Sequence, residues 1–476
     1  MEDLRNLTAL ISNAVKQIEE SCNARQVSLP SLDDPFTLES ESARLHPAVL
    51  EAVATIVAAT NQLSVLVRPP ALTLMSAAVQ FHVPSALRTV TKANVVEILR
   101  EAGPQGLHVD EIAKKNNMDP QKLARLLRLL ATEHIFREVT PDVFANNRIS
   151  SLADTGKSST ELFSKPTEKY TGTNGVAALI EHCGYDVFNS SACMTETLLD
   201  PETARSYDPT KAPFNRAFKT DLPFWAWFEQ PGNEQILSTF GMAMKGTKAL
   251  SPPDVILDGF EWKDLPSGSI VVDVGGGIGS QSLTIAQAHH HLKIVVQDRE
   301  PVVKEAKGFW DLNFPNVLSS GRVTLQGKAG NPQSIDFLAG QPVKNASVFL
   351  MRMILHDWSD DLCHVILKHL REAATPSTKL LLVDNLMSFA CPDTSPTTTI
   401  PGGASEPPPP PLLANYGHAS AFLHMIDLQM LTALNGQERT LVHLAKLLEG
   451  AGWKLTKVYR TPTFLQTHQQ ILALPA

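Results

Sequence analysis

The sequence from about Ile270 alternates between short apolar runs and longer stretches of helical character. Five of the runs are almost continuously apolar: SIVVDV, KIVVQD, VTLQ, SVFLMRMI and KLLLVDN. Strands buried on both faces of a parallel sheet have this pattern, whereas half-exposed strands alternate apolar with polar residues. The pattern predicts an α/β fold, with a doubly wound, Rossmann-like domain over residues 251–476.

The chain is long enough for more than one folding unit. It has 476 residues, whereas a typical domain has ~100–200. Residues 1 to about 90 have the pattern of helices rich in Ala, Leu and Val, with one break at Pro69-Pro70. Helices this apolar must bury a face. Packing on the same chain and a dimer-forming arm are both open interpretations.

The predicted N-terminal domain spans residues 1–160, and its part after residue 90 has the layout of a winged helix. Three short helical stretches between Ala93 and His134 precede FREVTPDVFANNRIS, which reads as two strands around a turn. Lys122, Arg125 and Arg128 lie on one face of the third helix, where a DNA reader places its recognition residues. However, 41 Lys and Arg against 49 Asp and Glu give a net charge of −8. We therefore expect a solvated basic face and no nucleic-acid partner.

Cysteine usage and the N-terminus indicate a cytoplasmic protein. The five cysteines are odd in number and none is spaced as CxxC, which opposes a disulfide framework and a thiolate zinc site. The first residues are acidic and polar, unlike a secretory signal. The most apolar stretch, residues 49–83, contains Asn61, Gln62 and Arg68. It falls short of the ~20 uninterrupted apolar residues of a membrane span, so we expect no membrane partner.

Two further segments are defined by composition. Residues 161–250 read as a helical linker with an aromatic cluster, DLPFWAWFE, and such a cluster is more often core than ligand wall. Residues 388–415 are rich in Pro, Thr, Ser and Gly. That composition cannot form a packed core, so it predicts a flexible insert after the fifth strand. A lid or a partner-binding polyproline tract are the alternatives.

The segment VVDVGGGIGSQS (271–282) has the order strand, glycine turn, helix start. It is not the NAD fingerprint, because the third glycine of GxGxxG would be residue 280, which is Ser280. A carboxylate, Asp273, instead precedes the first glycine by two residues. That charge suits a ligand with a cationic amine and would repel a pyrophosphate.

A second carboxylate completes the predicted cofactor site. Asp298 ends the next strand, where it can accept both hydroxyls of a ribose in the crevice at the strand ends. Gly275 and Gly277 allow the backbone to approach the ligand closely. Together these residues predict a nucleoside that carries an amino acid, which is S-adenosylmethionine. A structural turn with a hydrogen-bonded Asp273 is the alternative.

The fourth strand runs into LMRMILHDWSDD, which places His356 at the carboxyl end of the sheet. Asp384 ends the fifth strand at the same edge, and Glu438 lies in NGQERT before the last predicted helix. An imidazole beside carboxylates is suited to act as a general base. A phenol, with a pKa near ~10, needs such a base. No acidic or His/Cys cluster in the sequence suggests a metal.

These motifs resemble those of the caffeic-acid-type, metal-independent O-methyltransferases of plants and fungi. VVDVGGGIG, the QD at 297–298, HDWSDD and NGQERT occur in the family's order, and the N-terminal layout also matches. The resemblance implies a homodimer with an N-terminal dimerisation domain and a C-terminal methyltransferase domain. It implies that His356 is the base, flanked by Asp384 and Glu438, and that Asp298 binds the ribose. Arg352 stands where the family has a Lys near the cofactor.

The resemblance also implies that the aromatic cluster contributes to a substrate pocket. The candidates for contacting a flat ring are Phe224, Trp227, Met242, Met244, Met425 and Met430. The segment LQGKAGNP departs from the family, since it lacks the acid-plus-aromatic pattern that contacts adenine. The predicted reaction is methyl transfer to a phenolic hydroxyl of a small aromatic molecule. N-methylation of an arylamine or indole, and a DNA-binding regulator that senses the nucleoside, are the alternatives.

Overall fold

The computed structural model describes residues 1–247, 254–327, 340–460 and 467–476. The described residues form two compact units. The first unit contains residues 1–195, 216–220 and 227–247, and the second contains residues 196–215, 221–226 and the described residues from 254 onward. The chain therefore passes between the two units several times in the region predicted as a linker.

The helices of the chain up to residue 247 are numbered in chain order. They are α1 (Glu2–Arg25), α2 (Pro47–Val67), α3 (Pro70–Val79), α4 (His82–Lys92), α5 (Val95–Ala102), α6 (Val109–Asn116), α7 (Pro120–Thr132), α8 (Arg148–Ser151), α9 (Ser159–Ser164), α10 (Val176–His182), α11 (Phe188–Ala192), α12 (Met194–Leu199), α13 (Pro213–Phe218), α14 (Phe224–Phe228) and α15 (Glu234–Gly246). A π-helical turn, Cys183–Val187, follows α10.

The N-terminal helices of the first unit pair through apolar faces. In α1 the buried residues are Leu7, Ala14, Ile18 and Cys22, a spacing of about one or two helical turns that places them on one face. The last three pack against a cluster from α2 that includes Val49. The interpretation that these helices bury a face within their own chain is thus confirmed for this pair.

By length and composition alone, α2 could cross a membrane: its mean hydropathy reaches 1.5, and 28% of that window is buried. A core helix meets the same criterion. The expectation that the chain has no membrane segment therefore stays a prediction.

The three helices and the hairpin predicted after residue 90 are present. The strands β1 (Leu107–His108), β2 (Phe136–Thr140) and β3 (Val143–Asn146) form an antiparallel sheet in the order β1-β3-β2. The third helix, α7, begins at the side-chain cap of Asp119 and buries residues three or four apart, from Leu123 to Leu130. On its exposed face, Arg128 is paired with two carboxylates of the hairpin, at 2.9 and 2.7 Å. This pairing occupies one of the three basic residues considered for DNA binding.

The second unit contains the remaining elements. The helices are α16 (Ser280–Ala288), α17 (Glu300–Asn313), α18 (Asp360–Ala373), α19 (Ala421–Leu434) and α20 (Leu441–Gly450). The strands are β4 (Ile270–Val274), β5 (Lys293–Gln297), β6 (Val323–Gln326), β7 (Val348–Arg352), β8 (Lys379–Asp384), β9 (Leu386–Met387), β10 (Arg439–Thr440), β11 (Trp453–Tyr459) and β12 (Gln469–Pro475).

Seven of these strands form one sheet in the order β11-β12-β8-β7-β4-β5-β6. The five predicted strands β4 to β8 are parallel, which confirms the α/β fold. The two strands at the other edge are antiparallel and were not predicted. The strand order reverses between β4 and β7, and in open α/β sheets ligands bind outside the carboxyl ends of the strands at such a point.

The sheet is covered on both faces by apolar side chains. One cluster surrounds Trp453 and contains the buried residues of α18 and α20. The other surrounds Trp310 and Trp262 and contains those of α16 and α17. Burial on both faces accounts for the continuously apolar strands read from the sequence.

The middle of the insert 388–415 contacts the sheet, and its predicted flexibility stays a prediction. The peptide N–H of Val458 in β11 donates to the Pro401 carbonyl at 2.9 Å. Arg460 donates to the two carbonyls that follow, also at 2.9 Å. These contacts use backbone carbonyls of the insert, which composition does not reveal, and they attach its middle to the edge of the sheet.

Candidate active site

The glycine loop follows β4 at the point where the strand order reverses. The loop contains Gly275, Gly277 and Gly279, whose φ values are 74°, 60° and 81°. Residues other than glycine rarely adopt such positive φ values. A Cβ on Gly277 would meet no atom within 4 Å, so the loop faces open space there. A Cβ on Gly276 would instead lie 2.5 Å from a carboxylate oxygen of Asp273. The loop thus has an open face and a closely packed inner face.

Asp273 supports the inner face of this loop. Its side chain is buried, and the Ser282 hydroxyl donates to Oδ2 at 2.6 Å. Burial raises the pKa of Asp273 to about 6. The carboxylate therefore has a structural partner, as the alternative interpretation expected. Its role toward the cofactor stays a prediction.

Asp298 lies directly after β5 and touches the outer part of the loop. The peptide N–H groups of Gly277 and Arg299 donate to its two oxygens at 2.8 and 2.7 Å. Desolvation raises the pKa of this carboxyl. Each carboxylate oxygen has further lone pairs for hydroxyl donors. The carboxylate thus both fixes the loop and can accept hydrogen bonds from a ribose.

Arg352 ends β7, next to the glycine loop in the sheet. Its Nη2 lies 3.2 Å from Nε2 of His468, the residue before β12. Desolvation lowers the pKa of Arg352, while Asp273 and Asp384 raise it. Desolvation, together with Arg352 and His356, lowers the pKa of His468 to about 3, so its ring is neutral.

His356 is placed by a short turn after β7. Met353 has a φ of 53° and turns the chain away from the sheet into the 3-10 turn Leu355–Asp357. Nδ1 of His356 lies 2.9 Å from Oε1 of Glu438, and Nε2 lies 3.4 Å from Oδ1 of Asp357. The predicted base and one of its two predicted acids are therefore in direct contact.

The charges around His356 favour its protonated form. Desolvation alone would lower its pKa, but Glu438, Asp357 and Asp384 outweigh that effect and raise the pKa to about 10. Desolvation raises the pKa of Asp357 and of Asp384 to about 6 each. At neutral pH the ring is thus an imidazolium that is stabilised by neighbouring carboxylates.

Glu438 reaches His356 through a small parallel sheet. Arg439 and Thr440 of β10 pair with Leu386 and Met387 of β9. This register sets Glu438 beside Asn385, whose Nδ2 donates to the same Oε1 at 2.9 Å. Oε2 of Glu438 is buried and has no hydrogen-bond partner among the described residues.

Asp384 ends β8 at the edge of the sheet where the sequence placed it, and its hydrogen bond is to the backbone. Its Oδ1 accepts the peptide N–H of Met353 at 3.1 Å. The carboxylate therefore fixes the turn that leads to His356, and it influences the imidazole through its charge. The sequence indicated its location at the sheet edge but not this backbone contact.

The predicted substrate contacts are divided between the two units. Phe224 and Met430 belong to the second unit, and Trp227 and Met242 belong to the first. Phe224 is buried against Phe214, with ring centroids 5.0 Å apart. Met242 is buried in the helix contact formed by α10 and α15. The roles of all four toward a substrate stay predictions.

Three residues near His356 were not identified from the sequence. Arg439 donates to the carbonyls of Leu355 and Trp358, each at 2.7 Å. Asn385 donates to Glu438, and Gly436 lies against the His356 carbonyl. Arg439 and Gly436 lie in NGQERT, so the motif itself was the available signal, although only its acid was interpreted.

Within the described residues, no group of three or more His, Cys, Asp or Glu is arranged to hold a metal ion. Most of LQGKAGNP, residues 328–332, lies outside the described residues.

Comparison with known proteins agrees with this geometry. Residues 202–401 match the O-methyltransferase domain, and residues 75–154 match the O-methyltransferase dimerisation domain. An O-methyltransferase of Armillaria gallica is 43% identical over 455 residues, covering 96% of this chain and 95% of that protein. The 4-O-methyltransferase 1 of Phanerochaete chrysosporium is 41% identical over 478 residues, covering 99% of both chains.

The chain belongs to the family of S-adenosylmethionine-dependent O-methyltransferases. The enzyme class, the methyl donor and the presence of an N-terminal dimerisation domain, all predicted from the sequence, are thereby confirmed. Solved structures show the same fold. LepI in complex with SAM has a TM-score of 0.66 at 18% identity and covers 89% of this O-methyltransferase and 94% of LepI. The mitomycin 7-O-methyltransferase MmcR has a TM-score of 0.61 at 22% identity, and the match covers 86% of this chain and 97% of MmcR.

The glycine loop of this O-methyltransferase fits its methyl donor. The open face at Gly277 leaves the backbone accessible, and Asp298 offers acceptors for hydroxyl groups beside it. The loop and Arg352 follow β4 and β7, between which the strand order reverses, and Asp298 follows the adjacent strand β5. The residues present thus suit a nucleoside at this edge of the sheet.

Proposed function

We propose that this O-methyltransferase methylates a phenolic hydroxyl of a small aromatic molecule, with His356 as general base and without a metal ion. The contact between Nδ1 of His356 and Oε1 of Glu438 carries the proposal. It lies in the same unit as the glycine loop, at the carboxyl edge of the same sheet. The names of the relatives specify oxygen as the acceptor atom, which favours a hydroxyl over an amine.

Five residues are proposed to hold the methyl donor. They are Asp273, Gly275, Gly277, Asp298 and Arg352. When bound, S-adenosylmethionine supplies a methyl group on a positively charged sulfur, which is already strongly electrophilic. The remaining task of the protein is to orient the acceptor oxygen and to remove its proton.

Glu438 determines which nitrogen of His356 receives that proton. Because Nδ1 donates to Oε1 of Glu438, the neutral ring carries its lone pair on Nε2. Nε2 therefore accepts the phenolic proton. Glu438 and Asp357 stabilise the imidazolium that results. Since the pKa of His356 is raised to about 10, it matches that of a phenol near ~10, and the transfer costs little free energy.

We also propose that the enzyme is a homodimer. Its dimerisation domain, residues 75–154, begins within a region of the first unit whose large apolar side chains are half or more exposed. They are Val65, Leu66, Val67, Leu72, Leu74, Met75, Val79 and Phe81. Monomeric proteins rarely expose a contiguous apolar region of this kind, so we infer that a second copy covers it.

A transfer assay with methyl-labelled S-adenosylmethionine tests the reaction. The acceptors are a panel of phenols with the matching anilines, each with and without EDTA. We expect labelled methyl ethers from phenols, unaffected by the chelator. The variant His356→Ala should lose ~10²–10⁴-fold in rate, as is typical of a lost general base. The exposed His290, which precedes β5 at the opposite edge of the sheet, provides the control His290→Ala.

Other outcomes would reject specific parts of the proposal. Labelled amines without labelled ethers would replace the phenol with an arylamine. Inhibition by EDTA that magnesium reverses would reject metal independence. Near-normal rates in His356→Ala at pH 7 would reject the base.

A further inference from the structure

A chain of hydrogen-bond contacts runs from Arg352, at the end of β7, to Glu438, which lies beside His356. Arg352 Nη2 lies 3.2 Å from Nε2 of His468, and the peptide N–H of His468 donates to Oδ1 of Asn385 at 3.3 Å. Nδ2 of Asn385 then donates to Oε1 of Glu438 at 2.9 Å, and that oxygen also contacts Nδ1 of His356 at 2.9 Å. We propose that Asn385 and His468 are positioning residues, which hold Glu438 against the base. This inference rests on the proposed function.

Asn385 is suited to fix one oxygen of the acid. It lies between β8 and β9 and is 4% exposed, and Glu438 is 6% exposed. Because Oδ1 of Asn385 accepts a peptide N–H, its amide group must face Glu438 with the NH2 donor. Oε2 of Glu438 has no partner among the described residues, so Oε1 carries both side-chain contacts. Without Asn385, the His356 ring would be the remaining side-chain anchor of this carboxylate.

His468 in turn fixes Asn385. Its φ is 53°, a left-handed conformation that is uncommon for residues other than glycine. Such a conformation persists where the surroundings determine it, and it is a reason to look for function. Here the next residue, Gln469, begins β12 and pairs with Asp384 of β8. Desolvation and the nearby cations keep the His468 ring neutral, so that Nε2 can accept a hydrogen bond from Arg352.

The arrangement makes a prediction about the base itself. The charged groups that face His356 are Glu438, Asp357 and Asp384, which raise its pKa, and His468 also interacts with it. A carboxylate that is no longer anchored spends less time beside the ring, so its charge raises the pKa less. Loss of Asn385 should therefore lower the pKa of His356 toward the ordinary value, while the glycine loop remains intact.

The principal experiment uses Asn385→Leu in the full-length enzyme, because Leu has a similar volume and no donor. With ¹³C-labelled histidine, NMR follows the titration of His356 without any acceptor substrate. We expect its midpoint to move to lower pH, and kcat to fall about tenfold or more, the loss expected for one hydrogen bond to a charged group. KM for S-adenosylmethionine should not change. An unchanged titration of His356 would overturn the proposal.

His468 is tested by two substitutions. His468→Ala should change the titration and kcat in the same direction as Asn385→Leu, whereas His468→Gln keeps an acceptor for Arg352 and should restore most of the loss. Because both residues act through one contact, the double variant Asn385→Leu/His468→Ala should be no worse than Asn385→Leu. Additive losses in the double variant would overturn the series arrangement.

Thr378→Val serves as the structural control. Thr378 is fully buried and donates to the Ala346 carbonyl at 2.8 Å. It directly precedes β8, at the end of that strand opposite to Asn385. The Thr378→Val variant should be less stable than the wild type, but the titration midpoint of His356 should not change. A shift of the same size in this control would overturn the positioning role. Failure of the proposed function has a different signature: His356→Ala would keep its activity, while NMR would still report whether Asn385 sets the pKa of His356.

Discussion

Gly436 lies so close to His356 that a Cβ on the glycine would be 2.1 Å from the His356 carbonyl oxygen. The same oxygen accepts the peptide N–H of Gln437 at 2.9 Å. Arg439 donates to two backbone carbonyls on either side of His356, those of Leu355 and Trp358. The segment that carries Glu438 is therefore attached to the backbone of His356, and the two proposed catalytic side chains are held together by main-chain contacts.

The first prediction concerns this close approach. Gly436→Ala should destabilise the enzyme by about 1–3 kcal/mol, because the new methyl group meets backbone that cannot move aside easily. To relieve this clash, the segment that carries Glu438 should move away from His356. We therefore expect kcat to fall while cofactor affinity is retained. Thermal unfolding and steady-state kinetics measure the two effects.

Gly308→Ala provides the matched control for this substitution. Gly308 is exposed within α17 of the same unit, and a Cβ there would meet no atom within 4 Å. It should be neutral or stabilising by up to about 1 kcal/mol, since Ala favours the helix. Equal behaviour of the two variants would show that the contact at Gly436 is unimportant.

The second prediction concerns Asp298. Asp298→Asn leaves one acceptor where two oxygens now accept peptide N–H groups and can also accept a ribose. Affinity for S-adenosylmethionine should fall at least tenfold, because a hydrogen bond to a charged group is worth about 1.5–3 kcal/mol. Calorimetry measures this affinity, with Asp311→Asn, at an exposed residue of α17, as the charge-matched control. Equal affinities would place the ribose elsewhere.

Sequence patterns predicted which residues the structure brings to one edge of the sheet, because these patterns depend on local order. The apolar runs give β4, β5, β7 and β8, and the ends of adjacent parallel strands bring the glycine loop, Asp298 and His356 to one edge. The contact between His356 and Glu438 joins residues 82 positions apart. It depends on the two-residue pairing of β9 with β10, which is too short for a periodic signal.

The parts that were missed depend on long-range packing. The edge strands β11 and β12 pair antiparallel with β8 only after the chain has returned to the sheet. Asn385 is an ordinary residue at a strand end until Glu438 and His468 are placed beside it. For the same reason, composition gave no sign that carbonyls of the insert contact Val458 of β11 and Arg460.

The third prediction concerns assembly. Leu74 in α3 is 69% exposed, and Leu312 in α17 of the second unit is 81% exposed. If a second copy covers the apolar region, Leu74→Asp removes about 1.5–3 kcal/mol of burial from each protomer and weakens the dimer at least 100-fold. Leu312→Asp should leave it unchanged. Light scattering across a concentration series measures the mass, and a Leu74→Asp protein that stays dimeric at low concentration would exclude this surface.

The last prediction is the pH dependence of the reaction. Since the pKa of His356 is raised to about 10, the free enzyme at pH 7 holds a proton on Nε2 that must leave before a phenol can transfer its own. Below that pKa, kcat/KM should therefore rise close to tenfold for each pH unit. It should level off near pH ~10, where the phenol itself ionises. Buffers of overlapping range should give the same profile.

Glu438→Gln tests the cause of this profile. The amide keeps a similar shape but removes the charge that most raises the pKa of His356. The rising limb should move to lower pH, because the ring then loses its proton more easily. The maximum rate should fall, because the weaker base receives the proton less well and the imidazolium is less stabilised. The control Glu305→Gln changes an exposed acid in α17, and its kcat/KM should rise over the same pH range as that of the wild type. A wild-type profile that is flat between pH 6 and 9 would mean that His356 is already neutral, and that the carboxylates around it do not act as described.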